Sequence, residues 1–518
     1  MQNRSITILW TDDEMDLLKP YVLFLEQKGY IVTMASNGDD AIALASENDF
    51  DLIFLDENMP GKSGLQTLDV LKQILPHVPV VMITKSEEED IMEQAIGSKI
   101  ADYLIKPVNP NQILLSIKKN TENRRLVAEK TTSAYQSEFG SLGQLIGRAS
   151  SWEDWIEIHR KLTYWELEIS ASLGGMDEVF KMQKADANQS FGKFIKAFYE
   201  RWFNPAEVNK PLLSPNIFKQ VVIPQMQTTE NTILIVIDNL RYDQWLTILP
   251  MVNEFCKVES DELYYSILPT ATQYARNAIF SGLMPLEIEK MYPQFWINDD
   301  EDERKNQFEE DLLRLQFQRL RLNKRIHFEK VSNQKIGKRL VENIANLKNH
   351  DLTVVVYSFV DMLSHARTDV EMIRELANDE AAYRSLTSSW FEHSHLHEFM
   401  RECADRKFKM IITTDHGTVN VTNPIKVIGD RNTSSNLRYK MGKNLNYNPK
   451  EVFEIKRPEK VHLPSANLSS SYIFAYNNDY MVYPNNYNQF VNFYRNTFQH
   501  GGISLEEMII PIITLSAK

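Results

Sequence analysis

Ser5–Glu14 reads SITILWTDDE. Its first seven residues, up to Thr11, form a short run of apolar and β-favouring side chains, the pattern of a strand buried on both faces as in a parallel sheet. Acids end it at Asp12, Asp13 and Glu14. Outward from this run, a helical stretch from Glu14 to Lys28 stops at Gly29. Then come IVTMAS (31–36), a helix around Asp39–Glu47, DLIFLD (51–56), a helix near Gly64–Ile74, PVVMIT (79–84), a helix near Glu87–Ala95 and ADYLIKP (101–107). Five βα units in about 120 residues predict a doubly wound α/β domain.

The chain has 518 residues, enough for about three domains. From Asn111 to about Phe203 the pattern is helical, and Asn111–Phe139 contains neither Gly nor Pro, as a connector helix would. Phe191, Phe194 and Phe198 have helical spacing and predict a bundle core. Pro205, Pro211 and Pro215 mark a boundary. The expected domains are 1–120 (α/β), 121–205 (an all-α helical bundle linker) and 206–518 (α/β again). In the last, TILIVID, LTVVVYSFVD and FKMIITTD are apolar runs read as strands that end in Asp238, Asp361 and Asp415, and MIIPIITL predicts a further strand. The acidic run Asp299–Glu303 reads as a solvated loop, and Arg314–Arg325 as a basic helix.

Lys and Arg number 57 against 70 Asp and Glu, a net charge of −13. That argues against a general binder of nucleic-acid backbones, which needs a net basic face. With only Cys256 and Cys403, any zinc must sit on His and carboxylate rather than thiolate. The acids follow Met1–Trp10 directly, with no secretory signal pattern, and no apolar run reaches the length of a membrane span. The expected setting is the cytoplasm.

Two constellations carry chemistry. In the first, Asp12 and Asp13 follow strand one, Asp56 ends strand three, Thr84 ends strand four and Lys106 ends strand five. Ligand sites in such sheets lie outside the carboxyl ends of the strands. Clustered carboxylates suit Mg²⁺. Lys106 supplies charge to an acyl phosphate, and Thr84 a hydroxyl. With TDDE, LDENMPG, MIT and IKP in order, residues 4–120 resemble the receiver domain of two-component response regulators. The resemblance implies phosphorylation at Asp56, Mg²⁺ held by Asp12, Asp13, Asp56 and Asn58, and a switch pair Thr84 and Tyr103.

In the second, Asp238, Asp361 with His365 four residues on, Asp415-His416-Gly417, and His500 in QHGGIS accompany the hydroxyls Thr270 and Thr272. His and carboxylate suit zinc, and paired metals can clamp both oxygens of a phosphoryl displacement. The cluster His393, His395 and His397 predicts a surface patch, with His393 and His397 on one helical face. VIDNLRYD, LPTATQ, FVDMLSH, TTDHG and HGGISLEEMIIP resemble the PglZ branch of the alkaline phosphatase superfamily, over about 215–518. The resemblance implies one zinc on Asp238, Thr272, Asp415 and His416, and another on Asp361, His365 and His500. It implies Thr272 as nucleophile, with Thr270 as runner-up, and structural or substrate-positioning roles for Arg241 and Asp243.

The combination is similar to response regulators of type IX secretion. It implies a zinc-dependent phosphodiesterase acting on cyclic or linear oligonucleotides, with phosphorylation promoting homodimer formation through about residues 87–120. Implied partners are a sensor histidine kinase, a secretion-motor component and a sigma factor. The alternative is a signalling adaptor with little turnover.

Overall fold

The computed structural model describes residues 6–75, 78–85, 100–172, 175–297, 306–369, 379–430, 433–465 and 469–518. These form two compact units. One is drawn from residues up to Gln136 together with Ala171–Gly175; the other comprises Ser137–Ser170 and Met176–Lys518.

In the first unit, five parallel strands lie in the order 31–35, 7–11, 52–56, 80–84, 102–105, the doubly wound arrangement read from the sequence. Leu52–Asp56 and Val80–Thr84 are buried throughout. Trp10 fills one face of the sheet against Phe54, ring centroids 5.0 Å apart. Helix Gly64–Ile74 begins with a reciprocal capping box between Ser63 and Gln66, which satisfies donors that a helix start leaves open. A Cβ at Gly64 would press on the backbone of Glu57 at 2.7 Å, so the turn after Asp56 closes only with glycine there. The helix expected near Glu87–Ala95 and the acidic run Asp299–Glu303 lie outside the described residues. The backbone is helical from Pro110 to Arg148, with a π-helical turn at Lys118–Glu122.

The second unit is built on a six-stranded sheet in the order 256–265, 509–517, 409–413, 232–237, 352–357, 326–331. The last four strands run parallel, and Ile509–Ala517 is antiparallel to both neighbours. Helices Trp152–Ser172 and Asp177–Phe198 carry the predicted aromatic core. Phe191 contacts Trp155 at 5.4 Å and Tyr265 of the sheet at 6.3 Å, and Trp202 meets Tyr265 at 5.3 Å. Residues 137–170 and 176–203 therefore share a core with the carboxyl-terminal sheet.

Three local readings are corrected. Asp361 does not end a strand: the strand closes at Tyr357, and Asp361 lies in the first turn of helix Phe359–Asp369. The basic helix stops at Arg319, because Arg321 takes a left-handed backbone (φ 55°) that ends the 3.6-residue repeat. His393 and His397 share no helix: His393 closes Glu380–Glu392, and Ser394 caps His395–Asp405 by accepting from the His397 amide.

Candidate functional site

The first site lies at the carboxyl edge of the small sheet. Asp12, Asp13 and Asp56 converge so that one oxygen of each lies within 4.8 Å of the others. Lys106 Nζ bridges Asp12 Oδ2 at 2.8 Å and Asp56 Oδ2 at 3.0 Å. Asp56 Oδ1 is buried with no hydrogen-bond partner. Burial pushes the Asp56 carboxyl up, Lys106 opposes the rise, and Asp12 and Asp13 add to it. A divalent cation relieves this crowding of like charges, so the residues fit Mg²⁺. Thr84 is buried. Burial raises the Tyr103 hydroxyl, and the Thr84 hydroxyl opposes the rise. Asn58 is exposed in the bend after Asp56.

The second site gathers at the carboxyl ends of the central strands. Asp238 follows strand 232–237, and Asp415-His416 follow 409–413 by one residue. Ligand atoms of Asp238, Asp415 and His416 lie within 4.8 Å of one another. Thr272 opens helix Thr272–Ser281, and its Oγ1 lies 3.1 Å from His416 Nε2. Asp361 Oδ1 lies 3.9 Å from His500 Nε2. The His416 and His500 rings stack at 4.2 Å. His365 lies on helix Phe359–Asp369, but its side chain is outside the described residues.

The histidine tautomers follow from their partners. His416 Nδ1 lies 3.1 Å from the Gly417 carbonyl, and His500 Nδ1 lies 3.2 Å from the Thr270 carbonyl. A carbonyl only accepts, so each Nδ1 carries a proton and directs its Nε2 toward the cluster of carboxylates. This is how a metal-ligating histidine is held. Asp238 Oδ1 is buried without a hydrogen-bond partner. The donor set fits a borderline cation such as zinc.

Thr270 and Thr272 differ in setting. Thr270 is fully buried; its hydroxyl donates to the Gly502 carbonyl (2.9 Å) and accepts from the Gly501 amide (3.1 Å). Thr272 is partly exposed.

Arg276 is a site residue the sequence reading missed. Its Nε donates to Asp415 Oδ2 at 3.0 Å, and it also pairs with Asp238 and with Glu309. Burial opposes ionisation of Asp415, but the Arg276 guanidinium prevails and holds its carboxyl well below the usual range. Asp238 goes the other way: burial pushes it well up despite Arg276, with the Asp415 and Asp361 charges adding to the rise. The available signal was spacing, because Arg276 lies one helical turn beyond Thr272 on the same face. Arg241 and Asp243, by contrast, are locked in a buried ionic cluster in which Arg384 bridges Asp243 and Glu166 at 3.1 and 2.9 Å.

Fold and sites together define a receiver domain joined to an alkaline phosphatase-like domain. A profile of the BREX system PglZ alkaline phosphatase-like domain matches residues 217–515, and the chain belongs to that family. Profiles of the PorX response regulator linker domain and of the response regulator receiver domain match residues 125–203 and 8–118. The amino-terminal part is similar to transcriptional regulatory protein ResD of Bacillus subtilis, with 33% identity over 117 residues, covering 23% of this chain and 48% of ResD. It is also similar to alginate biosynthesis transcriptional regulatory protein AlgB of Pseudomonas aeruginosa, 36% identical over 121 residues, covering 23% of this chain and 27% of AlgB. The chain thus spans about half or less of the length of these curated relatives. Among solved structures, a response regulator receiver domain protein from Clostridium thermocellum is similar at 29% identity and a TM-score of 0.23, covering 23% of this chain and 98% of that one. Among the described residues, no helix is long and apolar enough to cross a membrane.

Proposed function

We propose that the protein is a response regulator in which phosphorylation of Asp56 promotes dimerisation and controls a zinc-dependent phosphodiesterase. Cyclic or linear oligonucleotides are the substrate class, and regulation of type IX secretion is the setting. The phosphoryl donor is a sensor histidine kinase, and a secretion-motor component and a sigma factor complete the partner set. The match to the PorX linker profile, between receiver and PglZ matches, supports the setting.

The observation that carries the catalytic reading is the placement of two Nε2 atoms, that of His416 beside Thr272 and Asp238 and that of His500 beside Asp361. Asp238, Thr272, Asp415 and His416 would hold one zinc, and Asp361, His365 and His500 the other. Bound zinc lowers the pKa of a coordinated hydroxyl and neutralises phosphoryl oxygens. Thr272 Oγ1 gives up its proton and attacks phosphorus as one ester oxygen leaves and takes up a proton, giving a threonine-linked phosphodiester that keeps the second ester group; water then cleaves the Thr272 O–P bond, restoring the hydroxyl and releasing a phosphomonoester. Thr272 stands at a helix start, where free backbone N–H groups and the dipole favour the incoming negative charge. Arg276 keeps Asp415 ionised and holds both aspartates aligned behind it. In the receiver, Asp56 accepts the phosphoryl group, Lys106 pairs with it, and Thr84 and Tyr103 transmit the change.

Hydrolysis of bis-(p-nitrophenyl) phosphate and of a cyclic oligonucleotide panel by zinc-loaded, chelated and Thr272→Val protein tests this. Zinc-dependent turnover lost in the variant is expected. Zinc-loaded protein without turnover on any substrate would remove the enzyme reading and leave an adaptor.

A further inference from the structure

Helix Asp177–Phe198 carries Lys184, Asn188 and Gly192 at four-residue intervals, one stripe along one face. All three face one part of the carboxyl-terminal domain. Asn188 Oδ1 accepts from the Leu505 amide at 2.8 Å, and its Nδ2 donates to Glu506 Oε2 at 3.2 Å. Lys184 Nζ reaches Glu506 Oε1 and Glu166 Oε2, each at 2.8 Å. A Cβ at Gly192 would press into the Tyr476 ring at 2.6 Å, and Tyr476 bridges to Ile503. Asn188 is 2% exposed. A buried amide satisfied on both ends fixes a register that an apolar residue would leave loose.

The stretch so gripped supports both histidine loops. The Glu507 carboxylate accepts from the Gly502 amide at 2.9 Å, just beyond His500, and from Arg438 at 3.1 Å. The Gly417 amide, next to His416, donates to the Glu507 carbonyl at 3.2 Å, and a side chain at Gly417 would overlap the Glu506 carbonyl. These two bonds tie both histidine-bearing loops to one carboxyl-terminal segment. We infer that Asn188 and Lys184 are positioning residues for His416 and His500: the helical segment 177–198 sets the spacing of the two histidines through Leu505–Glu507. The inference rests on the reading of those histidines as metal ligands.

The test uses the full chain with Co²⁺ as a spectroscopic probe and Zn²⁺ in chelator competition. Asn188→Leu removes both hydrogen bonds at similar volume. Arg160→Met is the control, because Arg160 ties the neighbouring helix to Asp261 at 3.0 Å without touching Leu505–Glu507. The expected result is a native circular dichroism spectrum, an altered Co²⁺ absorption band and about tenfold weaker Zn²⁺ binding for Asn188→Leu, with Arg160→Met like wild type. An unchanged band and affinity in Asn188→Leu, or an equal change in Arg160→Met, overturns the inference. If Asn188→Leu does not fold, Asn188→Ser carries the same comparison. Wild-type protein that binds neither ion defeats the metal reading itself, which is a separate outcome.

Discussion

Thr270 and Thr272 are two residues apart and chemically alike, and their surroundings separate them. The Thr270 hydroxyl is spent on Gly501 and Gly502, whereas Thr272 faces His416. Thr272→Val is expected to abolish phosphodiester hydrolysis while leaving the unfolding midpoint close to wild type. Thr270→Val is expected to cost about 1–3 kcal/mol, since it orphans a buried amide and carbonyl. Steady-state kinetics and urea unfolding on the two variants check this. Arg276 gives a second prediction. Its removal in Arg276→Met leaves Asp238 and Asp415 buried without their counter-charge, which costs about 3–5 kcal/mol in metal-free protein. Zinc is then expected to raise the melting temperature of the variant more than that of wild type, read by calorimetry with zinc and with chelator.

At the scale of elements, helix Trp152–Ser172 contributes a pH dependence. Burial lowers the His159 imidazole to about 4, against an ordinary 6.5, while Glu506 and Asp243 oppose the shift and Lys184 assists it. The native state therefore keeps His159 neutral where the unfolded chain takes up a proton. Its contribution is full above pH 6.5 and is lost as pH falls from 6.5 toward 4, a change of about 3 kcal/mol. Urea unfolding across that window is expected to show the slope in wild type and a flatter one in His159→Phe. The apolar strands and their order of appearance were legible in the sequence because a strand buried on both faces leaves an unbroken apolar run. The helix boundary at His393–Ser394 and the stop at Arg319 were not, because a single capping serine or one left-handed residue barely changes the hydrophobic pattern.

For the whole molecule, the proposal predicts that acetyl phosphate or beryllofluoride shifts the protein from monomer toward dimer, measured by size-exclusion chromatography with light scattering. Asp56→Ala is expected to remain monomeric under both. An equal shift in the variant would place the trigger elsewhere. The negative charge gains meaning at this scale as well. Part of it lies in the carboxylate clusters of Asp12, Asp13 and Asp56 and of Asp238 and Asp415, which bound cations would offset. Lys106 and Arg276 do that duty in the structure.

The sequence by itself determined the doubly wound first domain, the strands of the second sheet and most candidate ligands, because each rests on a local pattern: an apolar run followed by a carboxylate, or a histidine beside a glycine. Only the tertiary structure gave Thr270 and Thr272 their different settings, placed Arg276 between two aspartates, and brought Asn188 to Glu506, 318 residues away along the chain. Those facts depend on burial and on which backbone groups remain to be satisfied once the sheet has formed, and no local pattern encodes either.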